Sequence, residues 1–90
     1  MISVRLKVFP PFVHGSHTIE RVFNLRSGAS VKELIVLAAE HGVLRVDNVL
    51  EEAGVKEGVV ILVNGRTVFN LEHTLSNGDK VAIMPLAPGG

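Results

Sequence analysis

Ninety residues carrying nine acidic and nine basic side chains describe one small domain, close to the lower limit of a self-supporting core, with no room for a separate catalytic domain. Nearly half of them are hydrophobic, yet tryptophan, tyrosine and cysteine are absent, so the core must be built from Val, Leu and Ile, and disulfides, thiolate metal sites and thiol nucleophiles are excluded. The charge is balanced and its longest run is Glu51-Glu52, which excludes a basic stripe for nucleic acid or an anionic membrane.

Ile2, Val4, Leu6 and Val8 alternate with Ser3, Arg5 and Lys7, the period-two pattern of a strand with one face on a core and one toward water. The same alternation stands where a signal peptide would need a continuous hydrophobic stretch, and no apolar run approaches a membrane span, so a cytoplasmic protein is expected. Pro10-Pro11 ends the strand. Val13 to His17 reads as a turn or loop, and Ile19, Arg21, Phe23 and Leu25 form a second alternating run, which together predict a hairpin. Ser27-Gly28-Ala29 breaks that strand. Ser30 and Glu33 then have the spacing of a capping box, each side chain able to satisfy a backbone N–H at the start of a helix. Val31, Leu34, Ile35, Ala38 and Ala39 mark one face of that helix, and Gly42 stops it.

Val46, Val49, Leu50 and Ala53 repeat the helical spacing, predicting a further turn or two before Gly54. The continuous apolar run Val59 to Val63 fits an interior strand. Asn64-Gly65 supplies a tight turn into a brief return strand at Arg66-Thr67-Val68. Asn77-Gly78-Asp79 makes another turn, and Lys80 to Pro85 forms the last strand. A hairpin whose crossover helix lays its apolar face on a mixed sheet is a compact two-layer α+β solution for this element order.

With Val59, Ile61 and Val63 directed at the helix, Val60 and Leu62 fall on the outer face of the sheet, joined by Phe9, Ala82 and Met84. An apolar cluster there suggests a partner-docking surface; cover by loops, or a one-residue shift of parity, is the alternative. His14 and His17 could share a metal, but no cysteine or third ligand stands beside them, so no metal is expected. His41 and His73 read as a helix-end and a loop residue, and the serines as turn and cap residues.

The sequence finishes on Gly89-Gly90. Such a pair is either a frayed end or a carboxylate on two side-chain-less residues, able to enter a slot too narrow for any Cβ. The N-terminal alternating strand, the run Leu25-Arg26-Ser27-Gly28-Ala29-Ser30-Val31-Lys32-Glu33-Leu34, the Val63-Asn64-Gly65 turn, and Asn77-Gly78-Asp79-Lys80-Val81 leading to a terminal Pro-x-x-x-Gly-Gly together resemble the MoaD/ThiS family of ubiquitin-like sulfur carriers, over nearly the whole chain. The tail, Pro85-Leu86-Ala87-Pro88-Gly89-Gly90, looks closer to MoaD, although Pro88 immediately before the diglycine departs from it.

The resemblance implies a β-grasp fold, with residues 1–85 as the domain and residues 86–90 as a flexible diglycine tail. It implies a carrier subunit, not an enzyme, with no bound cofactor. A ubiquitin-activating-type enzyme would use ATP to adenylate the Gly90 carboxylate, and a sulfur donor would convert the acyl-adenylate to a thiocarboxylate. A larger synthase subunit, of the molybdopterin synthase or the thiazole synthase kind, would consume it. Related carriers are instead joined to lysines of other proteins, which leaves a protein modifier as the alternative. Five extended residues past Pro85 would reach about 17 Å, with Gly89 slipping through the slot and Pro88 stiffening the arm.

Overall fold

The computed structural model describes residues 1–86. Its first two strands, β1 (Ile2–Val8) and β2 (Ile19–Leu25), pair antiparallel as the hairpin predicted, with Val4 opposite Phe23 and Leu6 opposite Arg21. Helix α1 (Val31–Glu40) crosses over, followed by a single helical turn, α2 (Val46–Val49). Two short pairs intervene, β3 (Leu50–Glu51) with β4 (Gly54–Val55), and β6 (Arg66–Thr67) with the longer β5 (Val59–Val63); β7 (Lys80–Pro85) comes last. The main sheet has the order β2-β1-β7-β5-β6, in which β1 and β7 run parallel and the other neighbours antiparallel. Its middle strand is therefore the last one among the described residues.

One face of this sheet meets α1. Val4, Leu6, Val8, Ile61, Val63, Val81 and Ile83 from the strands are buried with Val31, Leu34, Ile35 and Ala38 from the helix. This aliphatic layer is the contiguous core expected of the composition, and each fully buried Val, Leu or Ile contributes about 1.5–3 kcal/mol of apolar transfer. Ala39, read onto the same helical face, is only half-buried.

Two local expectations give way to longer-range partners. Ser30 caps α1 by accepting from the Glu33 N–H at 3.2 Å, but Glu33 does not reach back to complete the box. Its carboxylate is held by the guanidinium of Arg26, which donates to both oxygens. The remaining N–H groups of the first turn are satisfied from a distant loop: Val31 donates to the His73 carbonyl and Lys32 to the Leu71 carbonyl, each at 3.0 Å. Buried Leu75, whose N–H bonds Ala29 O, pins that loop in place.

The helical spacing read as far as Ala53 also stops short. Leu50 has extended backbone angles and pairs with Val55, while Lys56 N–H closes on Val49 O at 2.9 Å. Ala53 is exposed, so its place in the apolar spacing reflected no packing; with Glu52 it forms a turn, and Gly54 at φ +130° takes the chain out of that turn into β4.

Candidate functional site

The outer face of the sheet is built by the alternate residues of the strands that bury the core. In β5 the inward pair is Ile61 and Val63, and the outward pair Val60 and Leu62 is half-buried. Cross-strand register sets Val60 opposite Met84 and Leu62 opposite Ala82 in β7, forming two apolar rungs. Phe9 joins the upper rung because its N–H donates to Ile83 O at 2.9 Å, which carries β1's pairing with β7 one residue further. Phe9, Val60, Leu62, Ala82 and Met84 are all half-buried and lie on the side away from α1, so the parity read from the sequence is the parity of the fold.

The same face carries charges that an apolar reading passes over. Arg5 and Lys7 on β1 and Lys80 on β7 share it, with Arg5 paired to Glu20 at 3.1 Å and the Lys7 ammonium 5.2 Å from the centre of the Phe9 ring. The signal was present in the sequence, since Arg5 and Lys7 occupy the outward positions of β1's alternation. Val22, 58% exposed on the neighbouring strand, extends the face toward the sheet edge.

Leu86 N–H bonds Gly58 O at 2.9 Å, so pairing with the start of β5 continues one residue beyond Pro85. The chain thus leaves the described body at the end of the middle strand, beside the upper apolar rung. Gly90, Gly89 and Pro88, the expected reactive terminus and its arm, lie outside the described residues. The turn at the opposite end of β7 is tightly specified. Asn64, at φ +52°, accepts from Lys80 N–H through Oδ1 and donates from Nδ2 to Asp79 Oδ1, both at 2.9 Å. Asn77 Oδ1 accepts from Ser3 N–H at 2.8 Å, joining that turn to β1.

Among the described residues no group of three or more His, Cys, Asp or Glu is placed to hold a metal ion. His41 caps the end of α1, its ring edge-on to Phe23 at 5.6 Å between centroids. No helix of the described residues is long and apolar enough to cross a membrane.

A two-stranded hairpin, a crossover helix packed on one face, and a parallel pairing of first and last strands define a ubiquitin-like β-grasp protein. The sequence profile of the ThiS family matches residues 5–90, and the chain belongs to that family. Solved structures agree. A Pyrococcus furiosus protein assigned as molybdopterin converting factor, subunit 1, is 28% identical, with 97% of this chain and 100% of that one covered and a TM-score of 0.73. SAMP1 from Haloferax volcanii is 26% identical over 98% of this chain and 99% of that one, with a TM-score of 0.71. A chain from the complex of subunits 1 and 2 of the Helicobacter pylori molybdopterin-converting factor shares the fold at 21% identity and a TM-score of 0.59, covering 99% of this chain and 100% of that one. Comparison with curated proteins gave no match.

Proposed function

We propose that this chain is a sulfur carrier whose Gly90 carboxylate is activated by a partner adenylating enzyme and converted to a thiocarboxylate that supplies sulfur in cofactor biosynthesis. The observation that carries the reading is the family match, which runs through the terminal Gly89-Gly90. A carboxylate is a poor acyl donor. Attack of its oxygen on the α-phosphorus of ATP, with pyrophosphate leaving, produces an acyl-adenylate. A sulfur nucleophile then displaces AMP at the same carbon. The carrier's own part is to deliver that carbon within reach, which asks for small residues at the end and a body that docks reproducibly.

Molybdopterin formation is the pathway favoured by the likeness to the Pyrococcus furiosus converting-factor subunit, and the name subunit 1 supports a larger synthase subunit as the acceptor. Thiazole formation is the other cofactor route within the family. A separate reading, conjugation to lysines of other proteins through Gly90, is favoured by the likeness to SAMP1, a small archaeal modifier. All three begin with adenylation.

The test is ATP–pyrophosphate exchange with the activating enzyme encoded in the same genome, comparing the full chain with a chain lacking Gly90. Exchange should disappear with Gly90 while the thermal melt stays in place, because Ile83 is the last buried residue described. Undiminished exchange from the shortened chain would refute the carrier reading. Mass spectrometry of the protein from its host separates the products. Replacement of one terminal oxygen by sulfur identifies the thiocarboxylate, and Gly-Gly remnants on lysines of other proteins identify the modifier.

A further inference from the structure

The charges on the outer sheet face are sorted along the strands, and that order describes the partner. Because β1 and β7 run parallel, Arg5 stands beside Lys80 and Lys7 beside Ala82, with Phe9 following next to Met84. From the start of β7 to its end, the face passes from a basic rung (Arg5, Lys80) through a mixed one (Lys7, Ala82, Leu62) to an apolar one (Phe9, Met84, Val60). The chain leaves the body at the apolar end. Four residues separate Lys80 from Met84, about 13 Å of strand.

The cations are available to a partner. Glu20 answers Arg5, but among the described residues neither Lys7 nor Lys80 pairs with a carboxylate, and both are exposed. The carboxylate of adjacent Asp79 accepts instead from Asn64 Nδ2 and Ser76 N–H. A shallow depression opens between Lys7, Lys80, Leu62 and Ala82, with the Arg5–Glu20 pair also on its wall. The chain as a whole is neutral, and seven of its nine acidic residues fall between Glu33 and Glu72, away from β1, β2 and β7. The positive excess therefore belongs to this face.

Resting on the carrier reading, we infer that the face docks a protein whose contact patch is apolar beside the tail's point of exit and bears carboxylates opposite Lys7 and Lys80, about 7 Å and about 13 Å along the strand. The two ends do different things. The apolar rung supplies buried contact, and the basic rung attracts the partner and fixes which way round the body lands, so that the chain's end points at the partner's slot. A second copy of this chain fits poorly, because a two-fold pairing would set a positive face against an identical one. Nucleic acid or an anionic lipid surface would match the lysines and leave Phe9, Met84 and Val60 without apolar cover.

The experiment measures association of the full chain with the activating enzyme of the same genome, without ATP, from roughly 50 mM to roughly 500 mM salt, where screening grows steadily. The Lys7→Glu/Lys80→Glu double variant should associate about 10–100-fold more slowly at low salt, with the gap closing at high salt. Lys7→Gln/Lys80→Gln should lie between it and the wild type, and Lys32→Glu, on the helix side, should match the wild type. Association unchanged by charge reversal would overturn the inference while leaving adenylation, measured in parallel, to support the carrier reading. A wild-type chain that neither binds nor is adenylated would remove both. Wild-type dimers that the double variant abolishes would assign the face to a second copy and overturn it too.

Discussion

Replacing Leu62 by Asp puts a carboxylate at the middle of the outer apolar face, opposite Ala82. In the free chain the cost is small. Leu62 is half-buried, so about 1 kcal/mol of the 1.5–3 kcal/mol available from full burial is lost, and the poor strand preference of Asp adds up to about 1 kcal/mol. Against a typical stability of about 5–15 kcal/mol the domain stays folded, with a melting temperature lower by about 5–15 °C. Under a docked partner the same carboxylate is stripped of water beside Lys7 and Lys80 and set against the carboxylates of the proposed partner patch, at about 2–5 kcal/mol, which weakens Kd by roughly thirtyfold or more.

Ile61→Asp is the matched control, because Ile61 is 1% exposed on the opposite face of the same strand and its replacement should unfold the chain. Urea titration of both variants, with calorimetric binding to the activating enzyme for Leu62→Asp, reads the two effects separately. If Leu62→Asp unfolds the isolated chain as Ile61→Asp does, the division into inner and outer faces is wrong. If it folds and binds at the wild-type Kd, the outer face is not where the partner sits.

Gly89→Val keeps the carboxylate and the length but adds a β-branched side chain, so single-turnover adenylation should fall by about a hundredfold or more while the Kd of the body changes little; adenylation at the wild-type rate would refute the slot argument. Asn64→Ala removes the acceptor for Lys80 N–H and the donor to Asp79 and leaves a Cβ-bearing residue at φ +52°, so the urea midpoint at unchanged slope should report a loss of about 2–3 kcal/mol, with Asn64→Gly recovering the backbone part.

What the sequence disclosed was whatever depends on the residue's own neighbours. The alternation in β1 placed Val4, Leu6 and Val8 inside, and the helical spacing of α1 placed Val31, Leu34, Ile35 and Ala38 against them. The Asn64-Gly65 turn was legible because both residues adopt positive φ, at 52° and 82°, as a two-residue hairpin of that type requires. Glu33 was misread because its stronger partner, Arg26, lies across the Ser27-Gly28 turn, where local spacing carries no information. The loop carbonyls of Leu71 and His73 that finish the start of α1, and the reach of Asn64 to Lys80, are contacts made only when the chain has closed. The basic half of the outer face was visible residue by residue in β1. It became a rung only when the parallel register set Arg5 beside Lys80.

That register also bears on how the chemistry proposed for Gly90 would be positioned. A terminal segment attached to an edge strand would leave from the part of a sheet most able to fray. Here the last strand is in the middle, bonded to β1 on one side and β5 on the other, and Leu86 is still tied to Gly58. The point of departure is as fixed as the core, because Val81 and Ile83 of the same strand are buried in it. The strand's outward residues, Lys80, Ala82 and Met84, run through the middle of the proposed docking face. One six-residue strand therefore joins core, proposed docking face and exit in a single piece. A partner that grips the outer face sets the position of the exit at once, and the residues beyond it need to span only the remaining gap. On the carrier reading a short arm ending in Gly89-Gly90 then suffices, since docking would already have removed most of the translational and rotational freedom that adenylation would otherwise have to overcome.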